Sequence, residues 1–292
     1  MASRSELGEF LRARRERLHP HDVGLPGSER RRVPGLRREE AALLAGISPE
    51  YYLRLEQGRV VHPSAQVVDS LAAALRLEPD ARTHLHRLAQ QPAPLHRPPA
   101  TPETVQPGVS LLLGTIALPA VVLGRHLDVL ASNSLAVTLT PTFAPGLNTL
   151  RTAFLDPAGL DLYVDRDDVV DDAVAGLRAL AGPDMRAPAV VELVADLEAS
   201  ETFRALWARQ DVRSKVGGSR RIVHPVVGEL ELLFEKLAVT GSPGQLLVVY
   251  HARPGTPSAE ALARLIRLDS ESRATTDPAS AAESSTLDTF DM

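Results

Sequence analysis

The stretch LLAGISPEYYLRLEQGR, residues 43–59, decides how the first third of the chain is read. Two short helical segments meet at Ala45-Gly46-Ile47-Ser48. Gly46 tolerates the left-handed turn that ends the first segment. Ser48 can cap the second, and Pro49 suits its first position because the missing N–H has no partner there anyway. Leu44, Ala45, Tyr52 and Leu55 are spaced to face a core, with Ile47 covering the angle between the helices. Pro49, Glu50, Leu53 and Arg54 then point outward, with Tyr51 at the rim. A helix that only packs in a core needs no such face. A helix-turn-helix needs one, because its second helix enters the major groove and meets base edges with its N-terminal residues.

The flanks extend this to five helices. SELGEFLRARRERL (5–18) places Leu7, Phe10, Leu11 and Leu18 on one stripe, and Arg12, Arg14, Arg15 and Arg17 read as a solvated face. A Pro/Gly/Arg-rich loop over 19–35 leads to a second helix, LRREEAALLAG. After the quoted stretch, SAQVVDSLAAALRL and DARTHLHRLAQ make the fourth and fifth. Residues 1–91 are thus expected to form an all-α helix-turn-helix domain. Six prolines in 92–108, PAPLHRPPATPETVQPG, predict a stiff extended linker.

Charge divides the chain in the same place. The net charge is −5, yet residues 1–92 hold 15 arginines against 12 acids, leaving 17 cations and 25 acids beyond. A basic head on an acidic body suggests that only the head touches polyanions. Lysine occurs only at Lys215 and Lys236, so the cations are nearly all arginine, which suits bidentate phosphate contacts. There is no cysteine, which excludes disulfides, thiolate metal sites and cysteine nucleophiles. The histidines form no metal-ligand spacing, and no phosphate loop or nucleophile elbow occurs. Neither catalysis nor a cofactor is expected. No run of about 18 apolar residues suggests a membrane span. The N-terminus lacks a secretory segment, so a cytoplasmic protein is expected.

Beyond the linker the pattern is mixed. A helix at VSLLLGTI precedes two strands, PAVVLG and LDVLAS, joined at Arg125-His126. Helices follow at about 133–140, 146–154, 168–181, 188–198 and 200–210. Strand signals return at RRIVHP, VGELELLFEKLAV and QLLVVYHA, before a last helix at SAEALARLI. This predicts an α+β domain over 109–268 with a mainly antiparallel sheet. The Ser/Ala/Thr/acid-rich residues 269–292 read as a disordered tail.

The stretch GISPEYYLRLEQGR, followed by Pro63, resembles the lambda-repressor/Cro (XRE) helix-turn-helix family. That resemblance implies base-reading positions at Pro49, Glu50 and Arg54, and phosphate contacts at Ser48, Arg59 and His62. Pro49 cannot hydrogen-bond a base, so readout should lean on Arg54 to guanine and Glu50 to cytosine. Arg30, Arg31 and Arg32 in the loop read as a phosphate clamp or minor-groove arm, and Arg37 and Arg38 as contacts to the DNA backbone. More broadly, LGEFLRARRERL, VGLPGSERRRVPGLRREEAALLAGISPEYYLRLEQGR, DVLASN, FRALWARQDV, HPVVGELEL and VVYHARPGTPSAEAL resemble the MmyB-like bacterial transcriptional regulators. This implies a PAS-like ligand-binding C-terminal domain, in some members with a pocket for a fatty-acid-like molecule. Such a pocket needs a cation for the carboxylate. Arg220, Arg221 and His224 are the candidates beside Trp207, with surface charge next to a turn as the alternative. The expected partners are double-stranded DNA, a fatty-acid-like ligand, a second copy of the chain and RNA polymerase. The rival reading is a DNA-binding head on a ligand-free dimerisation or interaction body.

Overall fold

The structure, a computed structural model, describes residues 5–26, 33, 35–60, 62–90, 103–156, 158–182, 185 and 187–276. In chain order the first elements are α1 (Glu6–Arg17), α2 (Arg38–Leu44), α3 (Pro49–Glu56), α4 (Ala65–Ala74) and α5 (Pro79–Gln90). Next come α6 (Pro107–Thr115), β1 (Ala120–Leu123), β2 (Val129–Ser132), α7 (Ser134–Leu139), α8 (Thr149–Leu155), α9 (Arg166–Ala181), α10 (Pro188–Leu197) and α11 (Glu201–Ala208). The chain continues through β3 (Gly217–His224), β4 (Gly228–Ala238), β5 (Leu246–His251) and α12 (Pro257–Thr276). Two compact units divide it. One holds Met1–Pro102 with Val170–Ser214, the other Glu103–Val169 with Lys215–Met292.

In the first unit local chemistry sets the helix starts. Ser5 accepts from the Gly8 N–H, Ser48 from Tyr51 and Ser64 from Val67, each satisfying a donor that the first turn leaves open. Leu7, Phe10, Leu11, Ala41, Tyr52, Leu55, Leu71 and Leu85 form one core. The same core takes in Ala179 and Val212 from the segment 170–214. Part of the long loop is ordered as a 3-10 turn over Pro20–Val23, where a loop alone was expected. Asp22 explains it, since its carboxylate accepts from the His19 N–H at 2.8 Å.

The second unit holds a five-stranded antiparallel sheet in the order β2-β1-β5-β4-β3. Val121 pairs with Val248, Phe234 with Tyr250 and Leu232 with Arg220. Ile222, Leu230 and Leu232 face inward against Leu139 and against Ala261, Leu262 and Leu265 of α12. Asn133 joins the parts. Its amide accepts from Ala120 and Ala136 and donates to the carbonyls of Ile116 and Leu118. The last helix runs to Thr276, past the expected start of the tail at 269. Asp269 is buried there and accepts from the hydroxyls of Ser134 and Thr138, both at 2.7 Å, so the helix has a packed face that composition does not reveal. Residues 92–102 and 277–292, which include most of the expected linker and the rest of the tail, lie outside the described residues.

Candidate DNA-reading surface and ligand-binding unit

The turn before α3 is built as its sequence requires. Gly46 has φ +65, a conformation that disfavours any side chain, and the Ile47 N–H donates back to the Ala42 carbonyl at 3.0 Å. Tyr52 and Leu55 are fully buried, which fixes the rotation of α3 about its axis. Ser48, Pro49, Glu50 and Arg54 are therefore exposed, and Tyr51 and Leu53 are half-buried. Arg59 and His62 are exposed beyond the helix end, with the His62 ring against the Ala89 carbonyl at 3.3 Å. Arg37 is exposed at the N-cap of α2. Arg30, Arg31 and Arg32 lie outside the described residues.

Glu56 has a part that local sequence does not suggest. Its carboxylate accepts from Arg15 of α1 and from Arg38 of α2, each at 2.6 Å, and Arg15 also donates to the Leu36 carbonyl at 2.7 Å. Arg15 is buried, not part of the solvated face expected for the arginines of α1. Its guanidinium pKa is raised, because Glu56 outweighs the effect of burial. Arg38, expected on the DNA backbone, is exposed and donates from Nε to Glu56.

The segment 170–214 packs on α1 and α5. Asp211 accepts from Arg14 at 2.9 Å and also pairs with Arg17 and Arg209. Burial tends to raise the Asp211 pKa, but the Arg17 hydrogen bond and the charges of Arg17, Arg14 and Arg209 hold it below the usual carboxylate value. Arg87 donates to the Ala179 carbonyl, and the Ser214 N–H to Asp80. Arg178 lies 3.8 Å over the ring of Trp207 and donates to its carbonyl at 2.9 Å. His84 packs on Phe10, with ring centroids 5.3 Å apart. Burial first, then Arg178, Arg87 and Arg14, depress the His84 pKa to about 3. His84, Arg178 and Trp207 line a cavity of about 340 Å³.

On the sheet, the ligand candidates have different surroundings. Arg220 is half-buried, 4.9 Å over the Phe234 ring, among Tyr163 and Tyr250. Arg221 is exposed. His224 is buried and saturated. Its Nδ1 accepts from Val226 and Val227, which leaves Nε2–H to donate to the Thr138 carbonyl at 3.0 Å. That histidine is a structural hub. Trp207 belongs to the first unit and the other three to the second, so the structure does not bring the four together within one unit. Sequence reasoning missed the roles of Arg178, Glu56 and Asp211, and their signal is faint: Arg178 alone stands out, as a charge inside an apolar stretch, while Glu56 and Asp211 lie among other polar residues. Among the described residues no group of three or more His, Asp or Glu could hold a metal, and no helix is long and apolar enough to cross a membrane.

Comparison with known families agrees with this geometry. Residues 6–85 match the model of a helix-turn-helix domain. Residues 105–265, more than half of the chain, match the MmyB-like transcription regulator ligand binding domain. No curated protein matches the chain. The family's ligand-binding region thus includes the segment 170–214 that packs with the helix-turn-helix. The chain belongs to the MmyB-like transcription regulators, with a DNA-binding head and a domain that binds a ligand.

Proposed function

We propose that the chain is a cytoplasmic, sequence-specific regulator that acts by binding and not by catalysis. In this reading α3 lies in the major groove, with Arg54 donating to guanine and Glu50 accepting from cytosine. Ser48, Arg37, Arg59 and His62 contact phosphates, joined by Arg30, Arg31 and Arg32. The observation that carries the reading is the exposure of Pro49, Glu50 and Arg54 on a helix whose Tyr52 and Leu55 are fully buried. One reading helix covers few base pairs, so a homodimer would occupy two half-sites about one turn (~34 Å) apart. Selection from random duplex DNA tests this. A recovered pair of half-sites at that spacing, each with a G·C pair, supports it; no enrichment overturns it.

The ligand we propose is an acid with an apolar tail, held by Arg220 beside Phe234, Tyr163 and Tyr250. A half-buried cation in aromatic surroundings suits a carboxylate. The ligand would bias one placement of two heads, altering operator affinity or contact with RNA polymerase. Dodecanoate titrated into wild type and Arg220→Gln is the test. Binding lost in the variant supports the site, and equal binding by both contradicts it. The match to a ligand-binding family favours this reading over a ligand-free dimerisation body.

A further inference from the structure

The cavity between α1, α5 and α9–α11 lies wholly within the first unit. Its volume, about 340 Å³, falls in the range of small-molecule sites, roughly 300–1,000 Å³. Leu88 and Trp207 give it apolar walls. Two of its lining residues are almost wholly buried polar side chains with an unmet atom. Arg178 is 4% exposed and its Nε has no hydrogen-bond partner; His84 is 2% exposed and its Nδ1 has none. Such orphans are costly in a folded protein and call for a partner. Glu9 and Glu198 line the same cavity from exposed positions, and the charge of Glu9 already acts on Arg178.

The needs on the two sides are opposite. Of the guanidinium nitrogens, Nε alone is buried without an acceptor, and the two exposed carboxylates line the same cavity, where a ligand cation can reach them. We propose that this cavity binds an amino-acid-type zwitterion with an apolar or aromatic side chain. Its carboxylate faces Arg178, its ammonium faces Glu9 and Glu198, and its side chain lies along Leu88 and Trp207. A simple acid would satisfy the arginine but crowd the glutamates, and a simple amine would do the reverse. The electrostatics of Arg178 agree: burial and then Arg14 push its pKa down to about 10, against the pull of Asp211, Glu6 and Glu9, so a further carboxylate is welcome. The ligand would touch helices of the head and of the segment 170–214 at once. It would therefore favour the docked arrangement over any in which the segment lifts from the head. This site is separate from the one proposed at Arg220.

The test uses the full chain, with calorimetric titration and thermal unfolding against L-phenylalanine, L-leucine, 2-phenylethylamine and 3-phenylpropanoate. The expected result is that both amino acids bind and raise Tm, while each singly charged analogue binds at least about tenfold more weakly. Glu198→Gln, at an exposed rim position, should weaken L-phenylalanine about tenfold without moving the Tm of the unliganded protein. Arg178→Gln should abolish binding. The proposal is overturned if neither amino acid binds at millimolar concentration. It is equally overturned if either singly charged analogue matches L-phenylalanine, or if Glu198→Gln leaves the affinity unchanged. Dodecanoate binding at Arg220 and operator binding are separate readouts, so failure here leaves them standing.

Discussion

Glu56 accepts from two arginines while its side chain is 3% exposed, so Glu56→Ala leaves the buried Arg15 with only the solvent-facing Glu16, at 3.3 Å, as a counter-charge. Breaking a buried pair from one side costs about 3–5 kcal/mol. Urea unfolding of the variant should show a loss of that order, and an unchanged midpoint would remove the clasp from the account. His84 gives a pH dependence with a definite sign. Its folded pKa is depressed to about 3 from 6.5, so between these values the unfolded chain binds the extra proton. Stability is full above pH 6.5 and falls as pH drops toward 3. Its share of the loss from pH 7 to pH 5 is about 2 kcal/mol. His84→Leu should flatten the pH profile over that window; an identical slope in wild type and variant would contradict the buried neutral imidazole. Neither residue was legible in the sequence. Arg15 sits among arginines on an amphipathic helix, and its partner lies 41 residues along the chain, beyond the reach of any local pattern.

The crossing of α1 over the end of α3 depends on Gly8. A Cβ there would lie 2.4 Å from the Glu56 carbonyl oxygen, a rigid backbone atom. Gly8→Ala must push the two helices apart, at a cost of about 1–3 kcal/mol. Thermal unfolding at wild-type stability would show that the crossing is looser than described. Element starts were the legible part of the fold. Ser5 and Ser48 announce their helices because a cap is a contact over three residues. Asp167 and Asp168 mark the first turn of α9 for the same local reason, favourable charge at a helix N-terminus. The end of α12 was not legible. Its final turns are held by Asp269 on Ser134 and Thr138, partners more than a hundred residues away. The spacing of Tyr52 and Leu55 puts Pro49, Glu50, Leu53 and Arg54 on the outer face of α3; Pro49, Glu50 and Arg54 are exposed and Leu53 is half-buried. The ligand candidates were harder, because Arg220 and His224 look alike in sequence and differ only in which groups surround them.

At the scale of the molecule, the proline-rich segment marks one change of composition, but the compact units are not contiguous stretches. Residues 170–214 share a core with the helix-turn-helix through Ala179 and Val212, and Asp211 ties them to Arg14 and Arg17. Helices 170–214 read alone are ordinary amphipathic helices, and nothing in their period says which surface they cover. Asp211→Asn leaves those arginines underpaired, so hydrogen exchange in α1 and α11 should accelerate together, by about 1–2 kcal/mol of lost protection. Exchange that rises in α11 alone would mean that the segment does not brace the head. The central claim is that α3 reads DNA through Arg54. It is tested most directly by titrating wild type and Arg54→Ala with the selected operator and with a scrambled duplex at one salt concentration. The account predicts a loss of about 1–3 kcal/mol on the operator and little change on the scrambled duplex. Equal losses on both, or none on either, would contradict it.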